Sequence, residues 1–295
     1  MISVRDLEIR IGARVLMSDV NFRVDKGDKV GLVGRNGAGK TTLTKILAGD
    51  GQPSQGKVDR GGEIGYLPQD PRTGDPEELA RTRILNARGL GDLLAGMEKA
   101  TLDMGSVDQK VYEAAMTKYS RLEEQFQTGG GYAAEAEAAA IASNLGLKDH
   151  ILDQQLKTLS GGQRRRIELA RILFSAAETM ILDEPTNHLD ADSVVWLRDF
   201  LKSYQGGLIV ISHDVELVEE TVNRVFYRCE PSSMFITWAG RPTRSSVRPM
   251  RNVARKTAPS PRRRQTRFSY RRPSSVPWLA RQQPRIRWFV ALRNC

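Results

Sequence analysis

The sequence predicts an α/β fold: a mixed sheet core carrying a phosphate-binding loop, an antiparallel β subdomain ahead of it and a helical subdomain inserted into it. Three observations predict this. An apolar run, Val30 to Val33, leads into Gly34-Arg35-Asn36-Gly37-Ala38-Gly39-Lys40-Thr41 and then into a helical run with Leu43, Ile46 and Leu47 on one face. Two further apolar runs, Met180 to Leu182 and Leu208 to Ile211, end in Asp183-Glu184 and in Ser212-His213-Asp214. Between the first run and these two, Pro71 to Thr158 has helical periodicity.

Residues 2–33 alternate apolar and polar positions in short runs (Ile2, Val4, Leu7, Ile9, Ile11, then Val15, Leu16, Val20, Phe22, Val24), the pattern of antiparallel strands, with Asp25-Lys26-Gly27-Asp28 as a turn. Ile11, before Gly12, stands where adenine sites often place a stacking aromatic, so base stacking is weak and nucleotide selectivity is open. The glycine loop between strand and helix makes an anion cradle. Its glycines let backbone N–H groups turn inward, and the helix N-terminus adds its positive dipole end. Lys40 reaches the β- and γ-phosphates, the Thr41 hydroxyl takes a Mg²⁺ position, and Thr42 supports them.

Residues 56–67 read as a hairpin-like stretch leading to Gly65-Tyr66-Leu67-Pro68-Gln69, where Gln69, behind a proline that stiffens the backbone, suits a switch contacting Mg²⁺ and an attacking water. In the helical stretch, Tyr112, Ala115, Tyr119, Leu122 and Phe126 recur at spacings of three and four, one face of an amphipathic helix. The stripe either packs within a helical subdomain or forms a coiled-coil docking arm. Gly129-Gly130-Gly131 breaks the helix, and an alanine-rich one follows from Tyr132 to Leu145.

Leu159-Ser160-Gly161-Gly162-Gln163 opens another helix, with Ile167, Ala170, Leu173 and Phe174 inward. Ser160 is placed as its N-cap, and the two glycines leave the first N–H groups bare for a second anion contact. Asp183, at the end of a buried strand, can hold Mg²⁺ through water, while Glu184 can orient and deprotonate an attacking water. His213, at the C-terminal end of a parallel strand, lies where open α/β sheets place ligands and can bond a γ-phosphate.

Composition divides the chain in two. Of 45 Lys and Arg, 16 lie from Pro231 onward with no Asp or Glu among them, leaving 29 bases against 35 acids in residues 1–230. Residues 231–295 also hold 8 of the 13 prolines and three of the four tryptophans. No apolar run approaches the roughly 20 residues a membrane span needs, and the N-terminus lacks a secretory pattern, which points to a cytoplasmic protein. Cys229 and Cys295 form neither a metal cluster nor a disulfide framework.

Taken in order, these motifs over residues 1–228 resemble the ATP-binding cassette (ABC) family. The resemblance implies a P-loop ATPase domain whose helical subdomain lies at about residues 72–158. It makes Gly34 to Thr42 the ATP-binding loop, Thr41, Gln69 and Asp183 the Mg²⁺ residues, and Glu184, His213 and Gln69 the catalytic ones. Ser160, Gly161, Gly162 and Gln163 become a signature acting on the ATP of a partner cassette, and Asp190 belongs to a dimer-contact loop. Glu184-Pro185-Thr186-Asn187-His188-Leu189-Asp190 is similar to the ABC-F subfamily, whose members carry two cassettes and associate with the ribosome in translation or antibiotic resistance. One cassette here offers two half-sites and, without a partner, low turnover. The alternatives are the ATP-binding subunit of a transporter with a separate permease, as in macrolide export, and a nucleic-acid-binding protein acting through its basic tail.

For residues 229–295 three readings compete: a disordered RNA-binding arm, a basic membrane-surface segment, and a translated wrong frame. The last is favoured. The subfamily's linker often opens Asp-Val-Tyr-Asn-Met-Gly-Trp; encoded GAT GTT TAT AAC ATG GGC TGG and read one base late, it gives Met-Phe-Ile-Thr-Trp-Ala, which is Met234 to Ala239. Such a tail is expected to be disordered.

Overall fold

The computed structural model describes residues 1–34, 37–69, 74–230 and 233–238, with side chains described as far as residue 226. Two sheets carry the strands. Strands β1 (Ile2–Ile11) and β2 (Arg14–Val24) pair antiparallel, and β4 (Gln55–Arg60) joins the other edge of β1. The second sheet runs β5 (Ile64–Leu67), β6 (Thr179–Asp183), β7 (Gly207–Ile211), β3 (Lys29–Val33), β8 (Arg224–Glu230) and β9 (Ser233–Trp238). Its first five strands are parallel and β9 is antiparallel to β8, so the strand pairing continues past residue 228.

Every residue of β6 and β7 is buried, which is why both read as unbroken apolar runs: a parallel strand covered on two faces has no solvent side. Their alternation divides the core. Ile181, Ile209 and Ile211 point toward β1, β2 and helix α1 (Lys40–Ala48), packing with Leu43, Ile46 and Leu47. Met180, Leu182, Leu208 and Val210 point to the other face, against the remaining helices.

Those helices are α2 (Ala80–Leu85), α3 (Gly91–Asp103), α4 (Gln109–Thr128), α5 (Gly131–Asn144), α6 (Asp149–Leu152), α7 (Gly161–Phe174), α8 (Ala191–Ser203) and α9 (Val215–Thr221). Helix α7 joins the inserted helices to the sheet and is buried on more than one side. Beyond the expected Ile167, Ala170, Leu173 and Phe174, the residues Arg165, Glu168, Leu169 and Ile172 are also buried.

Two expectations are corrected. Residues 56–67 are not a hairpin: β4 pairs with β1 while β5 pairs parallel with β6, so the chain changes sheets at Gly61-Gly62-Glu63. A glycine turn has the same local chemistry whether its strands pair with each other or with distant partners. In α4, Ala115, Leu122 and Phe126 are buried and Tyr119 partly so, but Tyr112, in the first turn, is exposed.

The inserted helices are pinned to α7 by the Arg83–Glu168 ion pair and by Arg88, whose Nε donates to Phe174 O at 2.6 Å. Arg88 forks onto Glu137 at 2.8 and 2.9 Å and lies over the Phe174 ring. Glu168 accepts from Arg83 Nε at 2.7 Å and Arg171 Nε at 2.9 Å. Breaking a buried pair leaves its partners' charge uncompensated. Glu168→Ala is therefore expected to cost about 3 kcal/mol, read as a lower urea midpoint; a cost under about 0.5 kcal/mol, the scatter of ordinary surface changes, would sink this account of the junction.

Candidate functional site

The loop between β3 and α1 ends at Gly39, which caps the helix in the left-handed region (φ 88°) without a side-chain cap. A side chain there would be strained, and its Cβ would lie 3.0 Å from Leu16 Cδ1. The helix start therefore presents backbone N–H groups, as an anion cradle requires. Lys40 Nζ donates to Gly34 O at 2.7 Å, curling over the loop, and its partial burial holds its pKa below the usual lysine value against the pull of Glu184 and Asp183. Gly37 is also left-handed (φ 77°). Arg35 and Asn36 lie outside the described residues.

Three strand ends converge on this loop. Thr41 Oγ1 donates to Asp183 Oδ2 at 2.9 Å, across 142 residues of sequence. Burial raises the Asp183 pKa, opposed by the Thr41 bond and by the charges of Arg165, Lys40 and Lys45. Thr41, Lys45, Pro68 and Gln69 line a cleft of about 380 Å³, so two of the three expected metal residues, Thr41 and Gln69, face one space, and the third, Asp183, is bonded to Thr41. Thr42, one position on, is half-buried.

Glu184 takes a left-handed conformation (φ 51°) and is 8% exposed. Its N–H donates to Ile211 O at 2.8 Å, extending the β6–β7 pairing. That turn brings its carboxylate to the end of β7, where His213 N donates to Oε2 at 3.2 Å and His213 Nε2 lies 3.4 Å from Oε1. A non-glycine residue held at positive φ is uncommon and costs free energy that the surrounding structure must supply.

Ser160 to Gln163 form a capping box: Gln163 N donates to Ser160 Oγ at 3.2 Å and Ser160 N to Gln163 Oε1 at 2.8 Å. The Gly161 and Gly162 N–H groups stay outside the box. A Cβ on Gly161 would meet nothing within 4 Å among the described residues, and one on Gly162 would only touch His188. Packing inside the chain does not require glycine here, whereas close approach of a ligand to the backbone does. Asp190 caps α8 through Ser193 N at 2.9 Å, and the hydrogen bonds from Ser193 hold its carboxyl below the usual range.

Sequence reasoning missed two residues. Lys45 lies four positions from Thr41, on the same helical face, and that spacing was available as a signal. Arg165 sits in the run Arg164-Arg165-Arg166, which reads as a solvated face; its spacing to Glu168 and Leu169, both buried, is the sign that it points inward. Ile11 is exposed at the β1–β2 turn.

Comparison with known proteins places this geometry. A family model described as ABC transporter matches residues 17–187. The tylosin resistance ATP-binding protein TlrC of Streptomyces fradiae is 39% identical over 223 residues, covering 72% of this chain and 39% of that protein. The energy-dependent translational throttle protein EttA of Haemophilus influenzae is 34% identical over 204 residues, covering 68% and 36%. The chain thus spans less than half the length of these curated relatives. Among solved structures, the dimeric post-hydrolysis state of the ATP-binding cassette MJ0796 bound to ADP and Pi superposes with a TM-score of 0.56 at 18% identity, covering 81% and 99% of the two chains, a likeness of fold.

Proposed function

This chain belongs to the ABC transporter family of ATP-binding ATPases, and we propose from that premise that it is an ABC-F-type cassette that hydrolyses ATP in a pair and acts on the ribosome. The observation that carries the chemistry is the meeting of three separate segments: Thr41 bonded to Asp183, and the next residue, Glu184, held against His213.

In this reading Lys40 gives up its bond to Gly34 O and, with the loop N–H groups, binds the β- and γ-phosphates. The donor set fits Mg²⁺: Thr41 Oγ1 and Asp183 Oδ2 are hard oxygens beside the cleft that Gln69 lines, and Mg²⁺ takes one or two such groups together with phosphates and water. When bound, the ion neutralises charge on the β- and γ-phosphoryl oxygens. Gln69 and Glu184 orient the attacking water; Glu184 accepts its proton as the bond from the γ-phosphorus to the ADP oxygen breaks. His213 fixes that carboxylate and donates toward the γ-phosphate. Ser160, Gly161, Gly162 and Gln163 serve the ATP of a second cassette, either another copy or a further stretch of a longer chain.

The ribosomal reading is supported by Glu184 to Asp190 and by similarity to TlrC and EttA; no helix among the described residues is long and apolar enough to cross a membrane. It places the protein in the cytoplasm, with residues 1–228 as the ATPase domain and the helical subdomain at about 72–158. Residues 229–295 are proposed to be sequence read in a shifted frame; the expected disorder does not hold at Cys229–Glu230 and Ser233–Trp238, which pair as strands because their backbones complete the sheet edge, while residues 231–232 and 239–295 lie outside the described residues, and reading the DNA beyond codon 227 in three frames checks the frame. The test of function is sedimentation with ribosomes in ATP and in ADP. Glu184→Gln is expected to pellet with ribosomes in ATP and to be released in ADP. Nucleotide-independent recovery with a membrane permease would assign the transporter-subunit role instead, and RNA binding lost on deleting the tail would assign the third.

A further inference from the structure

The hydrogen-bond ladder between β5 and β6 stops at Leu67↔Leu182. Beyond it lie the two segments the reaction needs, Pro68-Gln69 on one side and Asp183-Glu184 on the other. Arg165, five residues past the helix cap Ser160 and 5% exposed, spans the gap. Its Nη1 donates to Pro68 O at 3.2 Å and to Gln69 O; its Nη2 donates to Asp183 O at 2.7 Å and to Glu184 O at 2.9 Å. One terminal nitrogen thus serves each segment, and the planar guanidinium fixes the distance between them.

Packing does not account for a guanidinium here. An apolar side chain of similar length fills an interior position without the cost of desolvating a charge. We propose that Arg165 is a positioning residue for ATP hydrolysis, holding the Gln69 loop and the Asp183–Glu184 strand end at one fixed separation. Because it projects from the helix whose first turn is Ser160 to Gln163, a displacement of that helix is carried to both segments. The inference rests on the assignment of Gln69, Asp183 and Glu184 to metal and water handling.

The test compares Arg165→Lys and Arg165→Met with wild type. Lysine keeps the charge but presents a single ammonium, which cannot repeat the forked contact. ATP affinity without Mg²⁺, measured by calorimetry in chelator, is expected to stay within about twofold, since Lys40 and its loop are untouched. The Mg²⁺ concentration that half-saturates its effect on ATP binding is expected to rise about tenfold, and kcat to fall by tenfold or more with KM little changed, in line with the roughly 10²-fold cost of a 1 Å misplacement. Both variants should behave alike. If kcat and the Mg²⁺ half-point stay within about twofold in two folded variants, or if Mg²⁺-free ATP affinity falls in step with kcat, the proposal is overturned. Gln69→Ala and Glu184→Gln run beside them test the underlying reading: should neither lower turnover, that reading fails and the Arg165 proposal with it, whereas lowered turnover in both beside unchanged Arg165 variants overturns the Arg165 proposal alone.

Discussion

Glu184→Gln is expected to leave ATP bound and all but stop its hydrolysis. The substitution keeps size and shape, so the left-handed backbone, the bond from Glu184 N to Ile211 O and the donation from His213 N to the side-chain oxygen can all persist. What it removes is the ability to take a proton from water. A positioned general base contributes about 10² to 10⁴ in rate, so kcat should fall by that range while ATP affinity changes less than about twofold. The trapped nucleotide should also favour cassette pairing, visible as an ATP-dependent dimer on size exclusion. An unchanged kcat would place the base elsewhere.

Lys40→Ala is expected to remove ATP binding. The ammonium lies at the mouth of the loop, partly buried, with Asp183 and Glu184 as the nearby charges that favour its protonated form. Replacing it removes charge-assisted bonds to two phosphates, each worth about 1.5 to 3 kcal/mol, so affinity should drop by about 10² or more. The fold should survive, because alanine is the best helix former at the first position of α1. Calorimetry showing equal affinity in a folded variant would end the phosphate-loop assignment.

How far the site was legible follows from the range of each interaction. The glycine loop, the Ser160 cap and the buried strand before Asp183 were readable because each is decided within one helical turn or one strand. The cap is an instance: Ser160 and Gln163 are three residues apart, the spacing at which a helix start brings side chain and backbone together. The hairpin expected at residues 56–67 failed because its turn residues are those of any turn. Arg165 was missed because a triplet of arginines looks like solvated surface, and only the packing of α7 on both sheet and inserted helices buries one member of it.

The sequence by itself determined which groups are available: a glycine loop before a helix start, a hydroxyl and two carboxylates, a histidine at a strand end, and a capped helix start with two glycines. Short-range geometry fixes these, since i to i+3 spacing and strand alternation leave little choice. Only the tertiary structure decided that Thr41 meets Asp183 across 142 residues, that Glu184 turns back against His213, and that Arg165 closes the gap where the β5–β6 ladder ends. Those outcomes depend on strand order in the sheet, and strand order is set by what packs on its two faces, the antiparallel strands with α1 on one and the remaining helices on the other, a long-range property that local spacing does not encode.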